Sequence, residues 1–202
     1  MLKPLKVAVT GGLCSGKSSL CRFLEQLGAV VISADSVVHE LLAQDAVKKE
    51  IVALLGDDVI VAHQLDKRLI AEKVFRDRSL LDRMEALLHP LVKEMIDKKY
   101  DEVSEEVTLS EEVTLFVVEI PLLFETGSEE DYDVTVAVIA EEEQCRQRYE
   151  SSADAKAASY DERMFRQLSP GEKALRADYI IDNNGDLAKL KTSAKEFFSN
   201  IL

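Results

Sequence analysis

Residues 10–19 read TGGLCSGKSS. Gly11, a four-residue gap and then Gly16-Lys17-Ser18 match the phosphate-binding pattern G-x-x-x-x-G-K-[ST] at every specified position. The flanks agree with the motif. Val7-Ala8-Val9-Thr10 is a short apolar run with β-branched residues, as a buried strand requires. Leu20, Phe23, Leu24 and Leu27 then recur at helical spacing until Gly28 offers a C-terminal stop. Strand, glycine turn and helix come in the order that phosphate binding needs.

The residue types explain the chemistry. Gly11, Gly12 and Gly16 let the backbone approach a ligand closely, and the N–H groups of the loop converge on phosphate oxygens at the positive end of a helix. Lys17 is the counter-charge for the β- and γ-phosphates, and the Ser18 hydroxyl is the expected Mg²⁺ ligand. A glycine-rich turn without a ligand is the plainer alternative, and the correct strand and helix on either side weigh against it. The loop is read as a nucleoside triphosphate site.

Composition narrows the remainder. A chain of 202 residues with 47% hydrophobic content can bury the core of one domain with appendages. The formal charge of −13 argues against a nucleic-acid surface, which needs clustered Lys and Arg, but leaves room for a basic pocket around a small phosphorylated ligand. No apolar stretch approaches the roughly twenty residues that span a bilayer. The N-terminal MLKPLKVAVTGG enters the first strand directly and lacks a signal-peptide layout. Cys14, Cys21 and Cys145 form neither a disulfide framework nor a metal-spaced group, so a reducing cytoplasm is the expected location. No obligate protein partner is evident.

Four further apolar runs follow the first: Val30-Val31-Ile32, residues 115–118, residues 134–139 and Tyr179-Ile180-Ile181. Near-continuous rather than alternating apolar character suits parallel strands covered on both faces. The expected fold is therefore α/β, with a five-stranded parallel sheet flanked by helices. The stretch from Asp35 to about Tyr100 reads as helices only, with a break, kink or restart at His89-Pro90 because Pro90 lacks an N–H. It is too long for a connector and is expected to be an inserted helical acceptor-binding subdomain. SEEVTL occurs twice in tandem from Ser104, too few copies for a repeat fold, and its Glu pairs should keep it at the surface. Residues 141–167 are polar, helical and carry Arg146, Arg148, Arg163 and Arg166. Such charges are ordinarily a solvated face, but they also fit a helical lid whose arginines stabilise a transferred phosphoryl group. The expected organisation is a single unit, with residues 1–35, 114–140 and 170–202 as nucleotide-binding core, 36–113 as acceptor subdomain and 141–169 as lid.

The second apolar run continues VVISADSVVHELL, which sets Asp35 at the C-terminal end of a strand on the edge that carries the loop. A carboxylate there can take the proton of an attacking hydroxyl as the γ-phosphate transfers. It can equally cap a helix, as can Ser33. The residues alone leave the two readings level, and they are compatible.

Here the chain resembles the dephospho-coenzyme A kinase family, over nearly its whole length. The resemblance is carried by TGGLCSGKSS, SAD at 33–35, LLHPL at 87–91, EIPLLFETG at 119–127, RMFRQL at 163–168 and ADYIIDNNG at 177–185. It implies a P-loop kinase fold, with ATP and Mg²⁺ as cofactors and dephospho-CoA as the small-molecule partner. The implied reaction moves the γ-phosphate of ATP to the ribose 3′-hydroxyl. By the same resemblance the loop Cys14–Ser19, with Ser15, binds the triphosphate, Asp35 is the base, His89, Leu122, Leu123 and Glu125 stand on the acceptor side, Arg148 and Arg163 serve the lid, and Asn183 and Gly185 lie near the adenine.

Four departures from the family pattern stand out, one of them Lys67, which stands where the family commonly has arginine and keeps the charge without the planar fork. Cys14 replaces a glycine, so its backbone should avoid positive φ or be strained. Ser33 replaces the first carboxylate of a D-A-D triplet, and Ser152 a second lid arginine. Two rival functions are kept: a P-loop kinase for a nucleoside, nucleotide or other small hydroxyl acceptor, and a non-catalytic ATP-binding regulatory module.

Overall fold

Strand β1 (Leu5–Gly11) is the centre strand of a five-stranded sheet in the computed structural model, which describes residues 3–110, 114–152, 160–164 and 167–202. β2 (Val30–Ser33), β5 (Leu115–Glu119), β6 (Val134–Ile139) and β7 (Tyr179–Asp182) complete it in the order β2-β5-β1-β6-β7. Every pairing is parallel. All five expected strands are present.

The apolar runs are continuous because both faces are covered. Val7 and Val9 point to one side, with Leu20 and Leu24 of α1 (Lys17–Gln26) and Leu190, Ala194 and Phe197 of α9 (Leu187–Ile201). Ala8 points to the other, against Leu123 and Phe124. Burial of side chains of this size is worth about 1.5–3 kcal/mol each. The core thus holds β1 rigidly up to its last residue.

Register then defines the functional edge. Gly11 pairs with Val138, Ser33 with Glu119 and Ile139 with Asp182, so these strands end along one line. β1 is flanked by strands from opposite directions of winding, the switch point where α/β sheets hold ligands.

The chain divides into two compact units, Met1–Ser33 with Glu102–Leu202, and Ala34–Asp101. The second contains α2 (Ala34–Leu42), α3 (Asp45–Leu55), α4 (Lys67–Arg76) and most of α5 (Arg78–Ser110). Its core includes Val37, Ile51, Val59, Ile70 and Leu88. Asp66 caps α4 by accepting from the N–H groups of Arg68 (2.8 Å) and Leu69 (3.2 Å).

Two expectations for this unit are corrected. It is not wholly helical: β3 (Ile60–Val61) and β4 (Gln64–Leu65) form an antiparallel hairpin. Ala62 and His63 turn it with φ of 49° and 66°, and without Asn or Gly there the turn leaves no sequence signal. Nor does Pro90 break or restart the helix, since α5 runs through it for 33 residues. Proline removes one N–H, and the turns on either side keep theirs while Leu88 and Ile96 are held in the core.

Candidate active site

The phosphate loop is shaped by what its glycines touch. Gly16 has φ 106°, and a Cβ there would run into Nδ2 of Asn183. That amide, buried on the residue following β7, donates to the Ser15 carbonyl at 2.7 Å and holds the loop from behind. Gly16→Ala is therefore expected to cost about 1–2 kcal/mol from the positive φ alone. Displacement of Asn183 adds to this. Thermal denaturation should show the melting temperature falling by about 3–6 °C, and an unchanged melt would contradict this account of the loop.

Gly16 also begins α1, whose N-terminus has no side-chain cap and no acidic residue in its first turn. That end of the dipole is left to an anion from elsewhere. The Lys17 ammonium, buried, donates to the carbonyls of Gly11 (3.1 Å) and Gly12 (2.8 Å). Ser15 is 2% exposed, and its hydroxyl has no hydrogen-bond partner among the described residues. A buried hydroxyl in that condition is costly unless a ligand atom completes it. The donor set of the loop fits phosphate oxygens. Cys14 takes the strained alternative of the two expected for it, with φ 57°, the left-handed region that favours glycine.

Ser18, exposed beside this loop, donates its hydroxyl to Oε1 of Glu119 at 2.7 Å. Glu119 is the last residue of β5, the strand next to β1. A hydroxyl and a carboxylate meeting at the strand edge make an oxygen pair suited to a hard divalent cation. Sequence reading passed over Glu119, although one acidic residue ending the apolar run LFVVE is a visible signal.

Arg148 of α6 (Glu142–Glu150) faces the loop. Its guanidinium donates to the carbonyls of Cys14 (3.3 Å) and Asn183 (2.9 Å) and to Oε1 of Gln144 (3.1 Å). One planar fork thereby ties the phosphate loop to the turn at 182–185. Asn184 reinforces that turn, accepting from the Glu141 N–H at 2.7 Å. At Gly185 a Cβ would lie 2.5 Å from Cδ of Lys189. Arg146 has a different task. It pairs with Glu142 (3.0 Å) and with Asp161 (2.8 Å) of α7 (Tyr160–Met164) on an exposed face. The same pairing holds the Asp161 carboxyl below its ordinary pKa. Tyr160 stacks edge-on to Tyr149, and burial first of all pushes its phenol up to about 12, so it stays neutral. The side chain of Arg163, and Arg166 altogether, lie outside the described residues.

The segment after β5 forms a turn held by its own polar groups. Thr126 donates N–H (3.1 Å) and hydroxyl (2.9 Å) to the Leu122 carbonyl. Leu122 is half-buried. Leu123 is fully buried against Ala8 and Phe124, so its side chain packs the core instead of forming an open acceptor wall. Glu125 uses Oε1 twice, accepting from the Leu168 N–H (2.7 Å) and pairing with Lys173 (2.9 Å) of α8 (Pro170–Arg176). Its Oε2 is buried with no partner among the described residues. Lys173 itself was not foreseen, because PGEKALR reads as an ordinary solvated helix.

Asp35 and His89 belong to the unit Ala34–Asp101, and both are exposed. α2 begins at Ala34, so Asp35 sits inside its first turn and is not the cap. The carboxylate is favourable beside that N-terminus and accepts no hydrogen bond from a described residue. Among the described residues no helix is long and apolar enough to cross a membrane.

Comparison with known proteins adds to this geometry. A family profile described as dephospho-CoA kinase matches residues 5–189. The dephospho-CoA kinase of Protochlamydia amoebophila (strain UWE25) is 40% identical over 202 residues, covering 100% of this chain and 98% of that protein. Among solved structures, TT1252 from Thermus thermophilus superposes with a TM-score of 0.80 at 28% identity, covering 99% of both chains. Dephospho-CoA kinase from Campylobacter jejuni gives 0.71 at 25% identity, covering 97% of this chain and 96% of that one.

Proposed function

The chain belongs to the dephospho-CoA kinase family, and we propose how its own residues divide the family's reaction among themselves. The reaction is transfer of the ATP γ-phosphate to the ribose 3′-hydroxyl of dephospho-CoA, the last step of coenzyme A synthesis. A nucleoside kinase and a non-catalytic nucleotide-binding module are both disfavoured by a family match that runs through the whole chain.

The observation that carries the nucleotide side is the loop with its Ser15 hydroxyl lacking a partner among the described residues, the buried Lys17 ammonium and the α1 N-terminus without a side-chain cap. Backbone N–H groups of the loop, from Gly11 to Ser19, and Lys17 hold the β- and γ-phosphates. Arg148, Asn183 and Gly185 shape the nucleotide's far end. Ser18 and Glu119 would hold Mg²⁺, which would supply positive charge to the phosphates. Glu119→Gln is expected to raise the Mg²⁺ concentration for half-maximal activity about tenfold. KM for dephospho-CoA should be unmoved, and a magnesium titration that overlays the wild type would remove Glu119 from this role.

On the acceptor side, Asp35 takes the proton of the 3′-hydroxyl as that oxygen bonds to the γ-phosphorus and the bond to the ADP oxygen breaks. Supporting this reading, Asp35 follows Ser33 by two residues, and Ser33 is in register with Glu119 at the edge of the sheet. Its carboxylate is also free of described partners. Oε2 of Glu125, without a partner among the described residues, suits a hydroxyl or amide donor of the acceptor, and half-buried Leu122 lies three residues before it in the chain. His89 and Arg163 are assigned to acceptor binding on the family likeness. The 36–113 acceptor segment and the 141–169 lid are proposed from the helical pattern and the arginines of those stretches, and a cytoplasmic location from the cysteine usage.

The decisive test offers the purified chain Mg-ATP with dephospho-CoA and a panel of nucleosides and nucleotides. A 3′-phosphorylated product from dephospho-CoA alone is expected. Preferential turnover of a panel member would overturn the assignment.

A further inference from the structure

The Lys173 side chain is 0% exposed, although it belongs to a short polar helix. Its ammonium meets three acceptors: the Pro121 carbonyl at 2.6 Å, Oε1 of Glu125 at 2.9 Å and the Thr10 hydroxyl at 3.5 Å. Thr10 donates in turn to the same Pro121 carbonyl at 3.3 Å, and Glu125 Oε1 also receives the Leu168 N–H. Two segments thus close on a cation supplied by α8: β1 at Thr10, just before the phosphate loop, and the turn from Pro121 to Glu125, whose carboxylate also holds the chain entering α8 through the Leu168 N–H.

We propose that Lys173 is a positioning residue for the acceptor, fixing the orientation of the Glu125 carboxylate and of the 121–125 turn relative to β1. The inference rests on the kinase reading above. Taking an ammonium and a carboxylate out of water is expensive, and a well-packed apolar pair is often as stable. Burial indeed lowers the pKa of the Lys173 ammonium, against the pull of Glu125. What the charged pair supplies that an apolar one does not is direction. With Oε1 committed to Lys173 and the Leu168 N–H, Oε2 is the carboxylate oxygen without a partner among the described residues. The Pro121 carbonyl is fixed by two donors at once, so the first residue of the turn has no freedom to rotate. Small displacements of groups that hold a reactant lower rate and affinity steeply.

The test uses the full chain. Lys173→Met keeps the length of the stem and deletes the charge, and Lys173→Arg keeps the charge and replaces a point donor by a wider fork. Wild type and both variants are assayed for kcat and for KM toward each substrate, alongside thermal melts. Lys173→Met should raise KM for dephospho-CoA on the order of tenfold, while KM for ATP stays within about twofold. Lys173→Arg should show the same split, smaller. If Lys173→Met does not fold, Lys173→Arg is judged by the same split. A lowered melting temperature with both KM values unchanged, or an equal rise in both, would overturn the positioning role. Absence of dephospho-CoA turnover in the wild type would overturn the kinase reading instead, so the two failures are distinct.

Discussion

Lys17→Ala is expected to abolish turnover, lowering kcat by on the order of 10³ or more. Two effects add. The buried ammonium is the one positive side chain that the loop itself supplies for the β- and γ-phosphates, and charge that develops during transfer is stabilised there in a site shielded from water. The same ammonium also bridges the carbonyls of Gly11 and Gly12. Its loss leaves two acceptors of the loop turned toward an anion, which is repulsive. Steady-state assays with equilibrium ATP binding separate the parts: weaker ATP binding together with lost kcat is the expected outcome. Turnover within about tenfold of wild type would mean that the helix N-terminus and Arg148 suffice, and that Lys17 is mainly a loop brace.

Asp35→Asn should lower kcat by about 10²–10⁴ with fold and ATP binding nearly intact. The substitution is close to isosteric at an exposed position, where surface changes are usually within about 0.5 kcal/mol. Loss of one negative charge in the first turn of α2 adds about 0.3–1 kcal/mol. Neither term approaches the catalytic loss. An amide cannot accept the proton of the 3′-hydroxyl, so the effect belongs to chemistry and should appear in kcat with little change in either KM. Normal turnover by this variant would remove Asp35 as the base.

The site was legible in unequal parts. Residues 10–19 announced themselves because phosphate binding depends on backbone conformation, and backbone conformation constrains residue type directly. All five strands were legible for a related reason: a strand buried on both faces must be apolar throughout. Glu119 left a visible signal as the one acidic residue ending LFVVE, but its partner was not legible, and Lys173 left no signal at all, because each acts through a partner remote in the chain. Ser18 lies 101 residues from Glu119, and Lys173 lies 163 residues from Thr10. Glu125 was assigned to the acceptor by resemblance, and the structure adds that one of its oxygens already belongs to the protein. The arginines of the 141–167 segment looked alike in sequence. Arg148 reaches the loop while Arg146 is engaged by Glu142 and Asp161, a difference that depends on which side of α6 each occupies.

The repeated SEEVTL shows the boundary between local and tertiary control. In the first copy Val107 is buried in the C-terminal part of α5, and Glu105 and Glu106 are exposed as expected. The last residue of the second copy, Leu115, opens β5 in register with Leu5. Residues 111–113 lie outside those described. Identical hexapeptides thus contribute to different elements, since pairing with β1 is available to one and not the other.

By itself, then, the chain determined that a triphosphate loop stands between a buried strand and a helix, and that four more strands share a sheet with it. Those properties reside in short windows, where spacing, glycine and apolar runs are sufficient. Only the tertiary structure decided that Asn183 braces Gly16, that Glu119 meets Ser18, and that Lys173 ties Thr10, Pro121 and Glu125 together. These are distances across the sheet edge, and they exist only once parallel pairing has brought the ends of β1, β5, β6 and β7 to one line.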